Sequence, residues 1–447
     1  MTAVLSDPVA VGAAIFALVL ALMILGLPVA FAFLAANLIG AALIMGAAAG
    51  DPIAGLLQLV DNSTNLVTSF ILVAIPMFIL MGALLFHTGL ANRVFDALDL
   101  LFGRIPGRLC YLTLAGGTAF AALSGSSMAN AAMLGGLLAP EMQRRGYAPR
   151  LIMGPIMGVG GLAIVIPPSA LAVLLGSLAR VDIGALLIAG ILPGLLLALM
   201  YVGTVALQIA RDPAAAPVYD IALPPLAARL KVVAGSVLPM GLIVFVVVGL
   251  IILGLATPSE SAALGAAAVV VLAAAYRCLT WRALAKALES TVAVSGMLFV
   301  IIFASAAFSQ LLAFSGASGV VVDAAVAWDA GPVMKFAVVV LVLIVLGMFL
   351  DQISILLITI PFFFPLMKAL GFDPVWFGVV VLIAMEMSLL TPPFGLLLFL
   401  MLGVMPPGTT MTQVVHAAVP YLVCNLLVIA LLLAWPDLAT WLPRLME

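Results

Sequence analysis

Leu123-Ser124-Gly125-Ser126-Ser127-Met128-Ala129-Asn130 stands in the middle of an apolar stretch running over about residues 109–140. Three hydroxyls, an amide and a glycine interrupt a segment otherwise fit for hydrocarbon. Exposed backbone at that depth is unfavourable unless it lines a cavity or holds an ion. A second apolar stretch, about 333–366, is interrupted in the same way by Asp351-Gln352. Both stretches read as re-entrant hairpins that enter and leave the membrane on one side.

The rest of the chain agrees with a membrane setting. Of 447 residues, 66% are hydrophobic and 8% charged, against about half and about a quarter in soluble domains. A soluble fold is excluded. Crossing a hydrocarbon core takes about 20 helical residues, and spans of that order read near 9–27, 29–49, 66–87, 150–178, 184–209, 232–254, 257–276, 289–314, 375–404 and 413–434. Asp7 is the only charge before the first span, so that span lacks the basic start of a cleaved signal and is expected to be retained. Cys110, Cys278 and Cys424 form neither a paired framework nor a metal spacing. A net charge of −2 spread thinly offers no surface for nucleic acid.

Basic residues gather on the cytoplasmic side of short loops. With both termini outside, the layout places Arg93, Arg104, Arg108, Arg144, Arg145, Arg150, Arg211, Arg229, Lys231, Arg277, Arg282 and Lys286 inside. It leaves only Arg180, Lys335, Lys368 and Arg444 outside. A single crossing by 109–140 would send one of the flanking arginine groups to the wrong side, which favours the hairpin.

The chain also repeats at an offset of 225 residues: Pro140, Met142, Gly146, Pro149, Pro167 and Pro168 map onto Pro365, Met367, Gly371, Pro374, Pro392 and Pro393. With 28 prolines in the chain, a column pairs two prolines by chance roughly once in 250, and four such columns fall within one short window. Ser126 lies over Asp351 and Ser127 over Gln352. Basic residues flank the first hairpin heavily and the second scarcely, so the repeats are expected to be inverted. Inverted repeats with paired discontinuous helices are the architecture of alternating-access carriers, with sites at mid-membrane where helices break.

Three further features carry chemistry. Gly158-Val159-Gly160-Gly161 and Pro167-Pro168-Ser169 break the span after the first hairpin, and Thr391-Pro392-Pro393-Phe394-Gly395 breaks its counterpart. Tandem prolines remove N–H donors and free upstream carbonyls, which suit a hard cation. The alternative is a simple proline kink. Asp351 and Glu386 are ionisable groups in apolar surroundings and mark ion or substrate paths by default. Asp351 could instead cap a helix, and Glu386 could be a hydrogen-bonded structural acid. The first hairpin holds only hydroxyl, amide and carbonyl oxygens, which favours Na⁺ over a proton relay. His87 and His416 read as interfacial, and Glu260 as solvated. No Gly-x-Ser-x-Gly, His-Glu-x-x-His or phosphate-binding loop is present, so neither an enzyme nor ATP drive is expected.

From about residue 10 to 435 the chain resembles the large, DctM-like subunit of the tripartite ATP-independent periplasmic (TRAP) transporters. The resemblance rests on Leu123 to Asn130, Pro167-Pro168-Ser169, Gly347-Met348-Phe349-Leu350-Asp351, Gly371-Phe372-Asp373-Pro374-Val375-Trp376-Phe377-Gly378 and Leu390-Thr391-Pro392-Pro393-Phe394-Gly395 in that order. It implies an all-α polytopic membrane protein with inverted repeats and an elevator mechanism in a bacterial inner membrane. Scaffold helices are expected over 1–65 and 210–288, and the two repeats over 66–209 (hairpin 109–140, broken helix 150–178) and 289–434 (hairpin 333–366, broken helix 375–404), followed by a tail, 435–447. Expected partners are a small four-helix membrane subunit, a periplasmic substrate-binding protein, a carboxylate substrate and the lipid bilayer, with Na⁺ as coupling ion. Ion ligands are expected at Ser124, Ser127, Gly161, Pro167, Gly347, Asp351, Met387 and Thr391, many through carbonyls. Substrate contacts are expected at Ser126, Ser127, Asn130, Ser169, Gln352 and Gly395. Ser388 and Leu397 depart from the Gly and Asn that the family often has there, which leaves the substrate open. The rival is a self-sufficient Na⁺/carboxylate symporter with the same paired hairpins.

Overall fold

The computed structural model describes residues 8–46, 50–101, 103, 105–218, 224–393 and 395–445. No strand occurs among them. The helices are α1 (Pro8–Ile24), α2 (Val29–Gly40), α3 (Pro52–Val67), α4 (Ala74–His87), α5 (Leu90–Asp99), α6 (Arg108–Ser124) and α7 (Ser127–Arg144). Then come α8 (Pro149–Gly161), α9 (Ala170–Ala179), α10 (Ile183–Ala189), α11 (Ile191–Arg211), α12 (Leu226–Ile252), α13 (Pro258–Ala275) and α14 (Trp281–Phe314). The last are α15 (Ala317–Ala327), α16 (Pro332–Gly347), α17 (Gln352–Ala369), α18 (Pro374–Leu390), α19 (Leu396–Val404), α20 (Met411–Ala434) and α21 (Asp437–Arg444).

Seven helical stretches are apolar and at least 18 residues long, enough to cross a membrane: Phe70–His87, Ile183–Arg211, Ala227–Ile252, Pro258–Ala275, Trp281–Phe314, Gln352–Ala369 and Met411–Ala434. Each expected hairpin is a helix, a short break and a second helix, and its two arms pack against each other (α6 with α7, α16 with α17). Shifted by 225 residues, the bounds of α7 become those of α17, and the first residue of α8 becomes that of α18. Gly146 and Gly371, also 225 apart, both take a left-handed φ, +79° and +84°, just after α7 and α17. Only a residue without Cβ adopts that turn freely.

Several elements differ from the hydropathy reading. Helix α3 carries Asp61-Asn62-Ser63-Thr64-Asn65 and is too polar to register as a span. Helix α5 buries Leu90, Ala91, Val94, Phe95 and Ala97 on one face, an amphipathic pattern whose average hydropathy is low. The expected repeat start at 66 lies one residue before the end of α3, and that at 289 lies inside α14. Helix α14 runs 34 residues, about 51 Å at 1.5 Å per residue. The run 184–209 is divided at Gly190, where a Cβ would stand 2.3 Å from the Val165 carbonyl oxygen. That close approach seats α10 and α11 against the first broken helix.

Several basic residues near helix ends pair with acids or with loop carbonyls. Arg108 is buried against Asp99 at 2.8 Å, Arg144 and Arg145 both pair with Glu141, and Arg150 pairs with Asp212. Arg229 donates to the Leu100 and Leu101 carbonyls at 2.6 and 2.8 Å. Glu260, expected to be solvated, is exposed but completes a capping box with Thr257 at the start of α13. One large apolar cluster surrounds the hairpins and broken helices. A smaller one joins α1, α2, α15 and the later half of α14 to Leu357 and Ile358 of α17.

Candidate functional site

The first break follows from its residues. Gly125 closes α6 with φ +59°, a left-handed turn that a side chain disfavours. Ser126 turns extended and caps α7, its hydroxyl accepting from the Ala129 N–H at 3.4 Å. Ser127, the first residue of α7, is buried, and its Oγ has no partner among the described residues. Asn130 is fully buried and donates from Nδ2 to the Gly117 and Val159 carbonyls, each at 3.1 Å. Its amide therefore ties α6 to α8, and only Oδ1 is left without a partner. The side chain of Ser124 lies outside the described residues.

The broken helix supports this tip. A Cβ on Gly125 would stand 3.2 Å from the Pro168 carbonyl oxygen, so the tip rests on the Pro167-Pro168-Ser169 turn. Ser169, buried, caps α9 by accepting from Ala172 N–H at 3.2 Å. The Pro167–Pro168 and Pro392–Pro393 bonds are both cis.

At the second tip Asp351 is the cap of α17. Its Oδ2 accepts from Ile353 and Ser354 N–H at 3.1 and 3.2 Å, and its Oδ1 accepts from the Ser354 hydroxyl. Both carboxylate oxygens are thus engaged, and an ion would use only their remaining lone pairs. Gln352 donates to the Met385 carbonyl at 3.1 Å. Thr391 donates to the Met387 carbonyl at 2.7 Å, so these two expected ion ligands bind each other. Gly347 leaves room for Ser388, whose Cβ would stand 2.1 Å from a Cβ at 347. At Gly395 a Cβ would meet the Leu389 and Thr391 carbonyl oxygens at 2.6 and 2.9 Å. Two carbonyls converging on one glycine form a small oxygen-lined cradle, in which the Thr391 carbonyl already accepts from the Gly395 N–H at 3.1 Å.

The two tips meet. A cavity of about 490 Å³ is lined by Gly125, Ser126 and Ser127 of the first and by Gln352 and Ile353 of the second. The facing wall comes from α4 and α14 and is mostly apolar. Of the expected substrate contacts, Ser126, Ser127 and Gln352 line this cavity, while Asn130, Ser169 and Gly395 stand behind it in the supporting breaks. None of Gly161, Pro167, Gly347, Asp351, Met387 and Thr391 lines it. Pro167 lines a separate, apolar crevice of about 410 Å³ against α12. Gly161 instead makes space for an acid: a Cβ there would lie 2.2 Å from Glu386 Cγ.

Glu386 has the structural use that the sequence left open. It is fully buried, with Oε1 2.7 Å from the Tyr201 hydroxyl, which also stands 2.7 Å from Asn425 Oδ1. The three side chains join α18, α11 and α20. Nothing local in the sequence marks Tyr201 or Asn425, since they lie 185 and 39 residues from Glu386. His87, expected to be interfacial, is the last residue of the apolar stretch Phe70–His87; it lines the hairpin cavity with Ser290, and its Nε2 is 3.3 Å from Ser290 Oγ. These two are the polar groups of the wall facing the tips.

The arrangement offers neutral oxygens and amides for a solute, and backbone carbonyls beside Gly125 and Gly395 of the kind a hard cation uses. Unpartnered Ser127 Oγ and Asn130 Oδ1 and the Gly395 cradle fit Na⁺. Residues 16–438 match the family described as "Tripartite ATP-independent periplasmic transporter, DctM component". The chain is 32% identical over 381 residues to the C4-dicarboxylate TRAP transporter large permease protein DctM of Pseudomonas aeruginosa, covering 84% of this chain and 86% of that one. It is 28% identical to the ectoine/5-hydroxyectoine TRAP transporter large permease protein UehC of Ruegeria pomeroyi, covering 96% and 98%. The YdaH transporter of Alcanivorax borkumensis shares the fold, with a TM-score of 0.59 at 17% identity over 87% of this chain and 89% of that one.

Proposed function

Because the chain belongs to the DctM family, as the large membrane subunit of a TRAP transporter, we propose that it couples Na⁺ entry to uptake of a small organic carboxylate. The family works with a small membrane subunit and a periplasmic binding protein, and this chain would take its substrate from that protein. The observation that carries the reading is the meeting of both hairpin tips on one cavity, with the Ser127 hydroxyl buried there without a partner. The two broken helices supply backbone carbonyls beside the tips, at Pro168 next to Gly125 and at Leu389 and Thr391 next to Gly395, where an ion would bind beside the substrate.

Ser127 and the carbonyls around Gly395 and Pro168 are the groups that would hold Na⁺; the ion would supply positive charge that the cavity's own residues lack. Substrate would contact Ser126, Ser127 and Gln352. Filling the cavity neutralises these polar tips, and the hairpins with α8, α9, α18 and α19 then move as one body past α4 and α14. In this reading the first hairpin enters from the cytoplasm and the second from the periplasm, and both termini are periplasmic. The relatives named for C4-dicarboxylate and for ectoine differ in substrate, so the class proposed is a small carboxylate and not one compound.

Purified with its two partners and reconstituted, the protein is expected to accumulate the ligand of its binding protein under an inward Na⁺ gradient. Equal uptake with choline in place of Na⁺, across a range of pH, would overturn the coupling. Full uptake by this chain alone would favour a self-sufficient symporter.

A further inference from the structure

A third cavity, about 330 Å³, is lined by Arg180, Asn62, Ser177, Ser309, Gln310 and Ser318 along with apolar groups. Its polar wall contrasts with the other two cavities. Helix α14 supplies Ser290 to Leu298 to the hairpin cavity and Ala306 to Ala313 to this one. The centres of those stretches are between fifteen and sixteen residues apart, about 23 Å along the helix. The first cavity meets the tips of both hairpins, and the third meets the flank of α17 through Pro361 and Pro365.

Arg180 is the unusual residue. It closes α9 with φ +55° and ψ 41°, the left-handed cap that glycine takes freely and a side chain takes at a cost. Its guanidinium has no hydrogen-bond or ion-pair partner among the described residues. The nearby carboxylate of Asp182 is used in capping α10, accepting from Ala185 N–H at 2.6 Å. Gln310 Oε1 is buried and also unpartnered. A solvent-exposed forked cation, three hydroxyls and two amides thus line one concave space, with no carboxylate among them.

We propose that this cavity is a second binding site, for a small organic carboxylate, distinct from the one between the hairpin tips. The guanidinium would pair with the carboxylate, the geometry it matches best. The serine hydroxyls and Asn62 and Gln310 would meet the remaining oxygens. Placed at the other half of α14 and against the flank of α17 away from its tip, it is a vestibule in which substrate rests apart from the hairpin tips. The site stands without the Na⁺ reading, because no ion ligand takes part in it.

The test uses the full chain in nanodiscs, with Cys110, Cys278 and Cys424 replaced and Ser309→Cys introduced, in choline buffer. Thiol reaction rates are measured with anionic sulfonatoethyl and cationic trimethylammonioethyl methanethiosulfonate. The anionic reagent is expected to be favoured, and either succinate or gluconate to slow it, whereas neutral succinamide does not. Arg180→Gly removes the charge and relaxes the left-handed cap, so the protein should fold at least as well. It is expected to lower the anionic-to-cationic rate ratio about tenfold and abolish protection. Arg180→Lys is expected to keep part of both. Protection that survives Arg180→Gly, protection by neither acid, or protection that appears only with Na⁺ would each overturn the proposal; the last would place the carboxylate between the hairpin tips.

Discussion

The two hairpin tips are built on the same backbone frame and use their polar groups in opposite ways. At the first, Ser127 Oγ and Asn130 Oδ1 are buried and unpartnered. At the second, both oxygens of Asp351 serve the cap of α17, Gln352 is donated to Met385, and Thr391 to Met387. The neutral tip therefore has open valences, while the charged tip is internally satisfied. A buried polar atom without a partner is unfavourable, so the first tip is where a ligand gains most. The carboxylate, which the residue type alone marks as an ion ligand, caps α17 and has only its remaining lone pairs for an ion.

The comparison is tested hardest at Asn130. Asn130→Asp keeps the open oxygen but replaces both donated hydrogen bonds with a buried charge facing the Gly117 and Val159 carbonyls. A loss of about 3 kcal/mol or more is expected, read as a fall in thermal stability and membrane abundance. A protein of normal stability would show that this amide does not tie α6 to α8.

Gly395→Ala comes next. The new Cβ would press on the Leu389 and Thr391 carbonyl oxygens, which are backbone and yield little. Overpacking of this kind costs about 1–3 kcal/mol, and the cradle should open with it. Na⁺ dependence of uptake at matched abundance is expected to shift upward more than tenfold, about 1.4 kcal/mol. An unchanged Na⁺ response would remove the cradle from the ion site.

Ser127→Ala sharpens the contrast from the other side. Because the hydroxyl has no partner, stability should hold or rise slightly, yet the apparent affinity for Na⁺ or substrate should fall about tenfold. A loss of stability with normal affinity would reverse the assignment.

The smallest effect is expected at Asp351→Asn. Asparagine caps nearly as well as aspartate, so a loss of a few tenths to about 1 kcal/mol is expected, with Na⁺ dependence close to normal. A shift in Na⁺ affinity beyond tenfold at unchanged stability would make the carboxylate an ion ligand after all and erase the difference between the tips.

Much of the architecture was legible in the residues. The interruptions at Ser124 to Ser127 and at Asp351-Gln352 end and restart helices where expected, and the proline breaks divide α8 from α9 and α18 from α19. Amphipathic α5 and polar α3 escaped a search for apolar runs, since their apolar residues form a face and not a run.

Membrane class and helix breaks depend on hydropathy, glycine and proline, which act within a few residues, and the sequence alone therefore determined them. Which polar groups remain open depends on partners far along the chain. His87 meets Ser290 across 203 residues, Tyr201 meets Glu386 across 185, and Arg180 shares a cavity with Asn62 and Gln310. Asp351 looks as available as Ser127 in the sequence, and only the packed structure shows the first satisfied and the second not. A hydrogen bond is decided by where both ends lie, and local pattern places only one of them.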